Sequence, residues 1–228
     1  MKTTRLSVLV LLTLGVANAD VIFNVTLNTG PLIGHPAGPF SIGFEFADGS
    51  GSGDGNNAVF ISDFNFEAGG PAGAPLLFGS VGGDLSSSLV MTDATPDNIF
   101  VQSFVPGGIL SFVLDMTTNL DGSTPDEFIM SILDNTFAPV PTMAASALSP
   151  FLVIDIDSSN PTVRTFASDA TRSPAGGGGP ISIDQPAVST SEPPTFLGVL
   201  TVLCVVWAAS RGARGHFGVV RNAVGGDF

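Results

Sequence analysis

The 228-residue chain carries 20 Asp and Glu against seven Lys and Arg, for a formal net charge of −13. Between residues 20 and 190 the balance is 18 acids against two cations, Arg164 and Arg172, a surface that repels phosphate backbones and excludes nucleic acid as a partner. The single cysteine, Cys204, leaves no disulfide within the chain, so the fold rests on packing, for which 18 Phe are available.

Met1 to Ala19 has a short basic start (Lys2, Arg5), an apolar core from Leu6 to Val16 and the small-residue ending Ala17-Asn18-Ala19. This is the layout of a secretory signal peptide cut before Asp20. Eleven apolar residues fall well short of the ~20 that a membrane-spanning helix needs.

From Asp20 to about Phe166 the dominant period is two. Val21, Phe23, Val25 and Leu27 alternate with Ile22, Asn24 and Thr26. Phe40, Ile42, Phe44 and Phe46 alternate with Ser41, Gly43 and Glu45, and Leu110, Phe112, Leu114 and Met116 form a third such series. Each reads as a strand with one buried face. Phe128 to Leu133 and Phe151 to Ile156 are more continuously apolar, as strands near the middle of a sheet would be. Weaker strand candidates are Leu76 to Phe78, Ser88 to Thr92, Ile99 to Phe104 and Val163 to Phe166. Ala58 to Phe66 changes phase between Ile61 and Phe64, which a bulge near Ser62-Asp63 would reconcile. Turn-formers such as Asp48-Gly49, Gly69-Gly70-Pro71, Gly82-Gly83 and Pro106-Gly107-Gly108 punctuate the series. Eight to ten short strands with no amphipathic helix predict an all-β, two-sheet β-sandwich of Greek-key or jelly-roll type over residues 20–172. A closed barrel fits the same cadence.

Residues 173–190, with Pro174, the run Gly176 to Gly179, Pro180 and Pro186, read as a flexible linker. Beyond it come Ser191-Glu192-Pro193-Pro194-Thr195, the apolar run Phe196 to Ala209, and Arg211 and Arg214. As a helix the 14-residue run covers about 21 Å of a hydrocarbon core of about 30 Å. Beginning the transmembrane helix at about residue 193, ending it near 210 and letting the arginines snorkel brings it closer to a full span. The arginines keep residues 215–228 on the cytoplasmic side and the 20–172 domain outside.

This order of signal peptide, ectodomain, Glu-Pro-Pro-Thr, short apolar helix and Arg pair resembles the PEP-CTERM sorting signal of exported bacterial proteins. The resemblance places Glu192 and Pro193 in the family's Pro-Glu-Pro, with Ser191 where its first Pro belongs. Arg211 and Arg214 form the basic stop of a signal over 191–214, and the chain runs on to Phe228. It implies recognition and cleavage at the membrane by an exosortase, and residence on a cell surface or in an extracellular polysaccharide matrix. Pro39 to Phe46, Asp48 to Asn57 and Thr124 to Phe128 are similar to a group of PEP-CTERM proteins of unassigned function.

Chemistry-bearing constellations are sparse. Asp48, Asp54, Asn56 and Asn57 lie among glycines on one loop and offer the oxygen ligands that calcium takes, although the same residue types favour a plain turn. Asp155 to Asn160 begins like an EF-hand loop but has Phe166 where the bidentate Glu would stand, and reads as a strand end entering a turn. His35 is the only histidine between residues 20 and 190, and no Gly-x-Ser-x-Gly elbow accompanies it. The expectation is a non-enzymatic structural or adhesive protein. The alternative is a calcium-dependent or carbohydrate-binding module, against which stands the confinement of Trp to Trp207 and the absence of Tyr.

Overall fold

The computed structural model describes residues 20–120 and 124–191. The expected signal peptide (1–19) and the sorting signal with its helix (from Glu192 on) lie outside the described residues, and Ser191 closes the first of the chain's two compact units.

Two six-stranded antiparallel sheets pack face to face as a β-sandwich. One sheet contains β1 (Asp20–Asn28), β3 (Ala58–Asn65), β5 (Val81–Gly83), β6 (Leu89–Thr92), β8 (Ile109–Thr117) and β12 (Ala187–Ser191), in the order β12-β1-β8-β3-β6-β5. The other contains β2 (Phe40–Ala47), β4 (Gly70–Phe78), β7 (Asp97–Val105), β9 (Asp126–Leu133), β10 (Leu152–Ile156) and β11 (Thr162–Thr165), in the order β11-β10-β9-β2-β7-β4.

The alternation that predicted β1, β2 and β8 is what fills the space between the sheets. Phe23, Val25 and Leu27 of β1, Phe40, Ile42, Phe44 and Phe46 of β2, and Leu110, Phe112, Leu114 and Met116 of β8 are all buried. Phe44 is the hub. Its ring meets Phe112 of the opposite sheet edge-on at 5.5 Å, stacks on Phe128 at 5.6 Å and lies 6.0 Å from Phe100. Full burial of such a ring is worth about 2–3 kcal/mol, and each aromatic pair adds roughly 0.5–1.5 kcal/mol.

The expected bulge is present in β3. The pairing with β8 shifts between Ser62 and Asn65, and Asp63 adopts φ 54°. The extra residue turns Phe64 and Phe66 back toward the core that Val59 and Ile61 already face.

Two features depart from the sequence reading. There are twelve strands among the described residues rather than eight to ten, because the Val-Gly-Gly of β5 and the polar β12 carry no apolar periodicity, and β4, expected only at Leu76 to Phe78, begins at Gly70 for the same reason. The stretch 173–190, expected as a linker beyond a domain ending at 172, is instead packed. Ile181 and Ile183 are each 2% exposed within the core, and the Ser168 hydroxyl donates to the Ile181 carbonyl at 2.7 Å. Two isoleucines at strand spacing suffice to anchor a segment whose overall composition reads as tether. Its end, β12, then pairs with β1, with Ser191 opposite Ile22.

Candidate functional site

Two regions concentrate polar groups in ways the core does not require. The first is one end of the sandwich, where the β2–β3 loop, the β6–β7 turn and the approach to β9 converge. The four residues predicted on the β2–β3 loop divide there into two roles. Asp48 and Asp54 serve their own loop. Asp48 accepts from the Ser50 amide (2.7 Å), the Ser50 hydroxyl (3.1 Å) and the Gly53 amide, while Asp54 accepts from the Asn56 amide at 3.1 Å and its side-chain nitrogen at 3.3 Å. Burial pushes Asp48 upward, but the hydrogen bonds from Gly53, Ser50 and Ser52 outweigh it and hold the carboxyl below its ordinary value.

Asn57 points the other way, into the protein, and is 2% exposed. Its side-chain nitrogen donates to Asp126 Oδ2 and to the Asn119 carbonyl, both at 2.7 Å. Its Oδ1 accepts from Thr117 Oγ1 (2.9 Å) and the Asn119 amide (2.8 Å). Its backbone amide spans both oxygens of Asp93 at 3.1 and 2.9 Å. Asp126 also accepts from the Gly49 amide at 2.8 Å. Only glycine fits at position 49, since a Cβ there would lie 2.3 Å from the carbonyl oxygens of Thr124 and Pro125.

Asp93 and Asp126 are almost wholly enclosed, at 0% and 1% exposure. Burial raises Asp93 to about 7, the Asn57 amide opposes that rise, and the neighbouring Asp126 reinforces it. Asp93, Asp126, Thr117 and Asn119 were not foreseen, because they lie 36 to 69 residues from Asn57 along the chain. Among the described residues no group of three or more His, Cys, Asp or Glu is placed to hold a metal ion.

The second region is the outer face of the β2-containing sheet. The segment 134–150 folds back over this face, tied down where Ser131 Oγ donates to the Leu148 carbonyl at 3.0 Å. Asp134 organises the return. It accepts from the Thr136 hydroxyl and amide, the Ala138 amide and, across the fold, the Gly176 amide, bonds that overcome the effect of burial and keep its carboxyl low. Between this segment and the strands lies a groove of about 200 Å³ lined by Gly43, Ile99, Val101, Ile129, Leu133 and Phe137, with Glu45 in its floor. Burial, and then the charge of Asp97, push Glu45 above its ordinary value. On the other side of Leu148 a second hollow, of about 400 Å³, contains Glu127 and Arg164. There Arg164 bridges Glu127 (3.1 Å) and Asp155 (2.8 Å).

His35 is engaged structurally. Its Nδ1 accepts from the Ala37 amide at 3.2 Å, which leaves Nε2 to donate to the Gly179 carbonyl at 3.1 Å. Asp155 to Asn160 ends β10 and turns into β11, as its sequence suggested. Glu192, Pro193, Arg211 and Arg214 lie outside the described residues. In comparisons with known proteins the chain matches no family model, no curated protein and no solved structure.

Proposed function

We propose that this is an exported, non-enzymatic β-sandwich protein with a structural or adhesive role at the cell envelope or in an extracellular matrix. Its C-terminal segment acts as a PEP-CTERM-like sorting signal for an exosortase-type membrane enzyme. The observation that carries the reading is where the described fold begins and ends along the chain. β12 runs to Ser191, the first residue of Ser-Glu-Pro-Pro-Thr, and Ser191 pairs with Ile22, two residues from the expected new N-terminus at Asp20. The described fold thus begins and ends on neighbouring strands of one sheet, and the Phe44 core is built entirely from residues between 20 and 191. The strand orders, with β8 between β1 and β3 and β2 between β9 and β7, favour the Greek-key or jelly-roll class of connection. The bonding of both His35 nitrogens to backbone groups argues against a hydrolase built on that residue.

The reading is tested by fractionating cells that express an epitope-tagged chain. Export with membrane-stage processing is expected, and replacing Glu192-Pro193, Arg211 and Arg214 by alanine should abolish the processing. A cytoplasmic protein, or processing indifferent to those four residues, would overturn it.

A second reading, a calcium-dependent or carbohydrate-binding module, is favoured by the enclosed Asp93 and Asp126, whose mutual repulsion a divalent cation would relieve. Calorimetry with calcium and a glycan array test it. A flat calcium titration and a blank array would remove it.

A further inference from the structure

We propose that the groove on the outer face of the β2-containing sheet is a docking site for an apolar peptide segment of another protein bearing a Lys or Arg, with Glu45 as the carboxylate that receives the cation.

On the outer face, Phe78, Ile99, Glu45, Ile129, Val153 and Arg164 form one continuous cross-strand row from β4 to β11. Glu45 therefore stands between two isoleucines on a central strand, where a carboxylate loses solvation and gains nothing from its immediate neighbours. Among the described residues nothing donates a hydrogen bond to Glu45 and no cation pairs with it, and Asp97 adds like charge. The other raised acids of the two polar regions differ, since Asp93 has the Asn57 amide and Glu127 has Arg164; only Asp115 of β8 is raised, like Glu45, by burial and a like charge alone.

Within the processed chain that the proposed function implies, the missing counter-charge has no source. Between residues 20 and 191 the only cations are two arginines. Arg164 is held by Glu127 and Asp155, and Arg172 stands beside Asp169. A second copy brings the same shortage, so the cation belongs to a different molecule.

The groove is also shaped for an apolar body around that charge. Gly43, beside Glu45 in the interior of β2, weakens the strand but opens the floor. A Cβ there would make ordinary contacts at 3.6–3.8 Å with Leu133 and Ser131, so sterics do not require glycine. At the rim, Phe137 is held at φ 61° with 60% of its surface exposed, and Leu148 is 43% exposed. A bulky residue in the left-handed region is strained, and here no burial offsets the strain. Asp134 nonetheless fixes the turn that presents the ring. A strained, exposed aromatic beside an apolar groove with an unpaired carboxylate is the arrangement of a docking surface.

This inference rests on the proposed function in one respect, the removal of the ends that carry Lys2, Arg5, Arg211, Arg214 and Arg221, whereas its peptide-binding test does not depend on where the protein is delivered. Its test uses the purified full-length chain and a fluorescein-labelled peptide, Leu-Phe-Lys-Phe-Leu with blocked ends, followed by anisotropy. Saturable binding is expected, at least tenfold weaker when Glu replaces the central Lys. Glu45→Gln should weaken the Lys peptide at least tenfold, while Glu127→Gln leaves it within twofold. Phe137→Gly should also weaken binding while leaving the melting temperature equal or higher, which separates docking from folding. The proposal is overturned if no peptide binds the native chain, if Lys and Glu peptides bind alike, or if Glu45→Gln binds normally. Self-association that Phe137→Gly abolishes, without peptide binding, would assign the face to a second copy and equally overturn it.

Discussion

The two polar regions of this sandwich treat carboxylates in opposite ways. At the loop end, Asp126 and Asp93 are fully enclosed but surrounded by donors, with Asn57 alone reaching both and the Gly49 amide completing the set. On the outer face, Glu45 is only half-buried and has no donor among the described residues. Depth of burial therefore does not distinguish a structural acid from an available one. The distinction lies in whether its oxygens are already occupied. The loop end spends its acids on closing three chain connections onto one asparagine, and the outer face leaves one acid for something that arrives.

Four substitutions sharpen or break that contrast. Asn57→Ala should have the largest effect, because it strands the enclosed Asp126 oxygen and the Asn119 carbonyl together. A loss of about 3 kcal/mol or more is expected in denaturant melts. A loss under 1 kcal/mol would mean the network contributes little.

Asp93→Asn should act in the opposite direction at alkaline pH. Because the folded value of Asp93, about 7, lies above its ordinary 3.8, the folded state holds the proton more tightly than the unfolded chain. The stability this supplies is fully present below pH ~4 and is lost as pH rises through 7. Between pH 5 and pH 8 the native protein should lose about 2–3 kcal/mol from this group. The lowered carboxylates Asp48 and Asp134 act in the other sense, but in the window below their ordinary values, so they do not mask the trend. An asparagine amide facing Asp126 should stabilise the fold at pH 8 by about 1–2 kcal/mol and flatten the dependence. A variant that is less stable at pH 8 only when calcium is present would point to the cation-binding reading instead.

Phe137→Gly should raise stability by about 0.5–1 kcal/mol by relieving the left-handed turn. Glu45→Gln should be the smallest, within about 0.5 kcal/mol, since the half-exposed acid makes no bond that the amide would break. A large loss in either would assign the outer face a structural role and erase the contrast.

The reach of the sequence follows the same division. Strands whose apolar residues alternate, such as β1, β2 and β8, were legible because burial of one face imposes a period of two. The β3 bulge was legible because it breaks that period at a definite point. Segments 70–75, 81–83 and 187–191 were not, because backbone pairing holds them and Gly, Pro, Ser and Thr leave no periodic trace. Ile181 and Ile183 show how two side chains can anchor a stretch whose composition suggests freedom.

At the candidate sites the limit was distance along the chain. Asn57 stands out in the sequence, but its partners Asp93 and Asp126 are 36 and 69 residues away. Glu45 and Gly43 sat in the outward register of a predicted strand, which reads as solvated surface. Only the return of 134–150 over that face makes them the floor of a groove.

The central claim, that a sandwich bounded by residues 20 and 191 is delivered by removable signals at both ends, is tested most directly by intact-mass measurement of the protein recovered from outside the cytoplasm. The account predicts a polypeptide that begins at Asp20 and no longer contains Arg211. A chain recovered whole, from Met1 to Phe228, would contradict it.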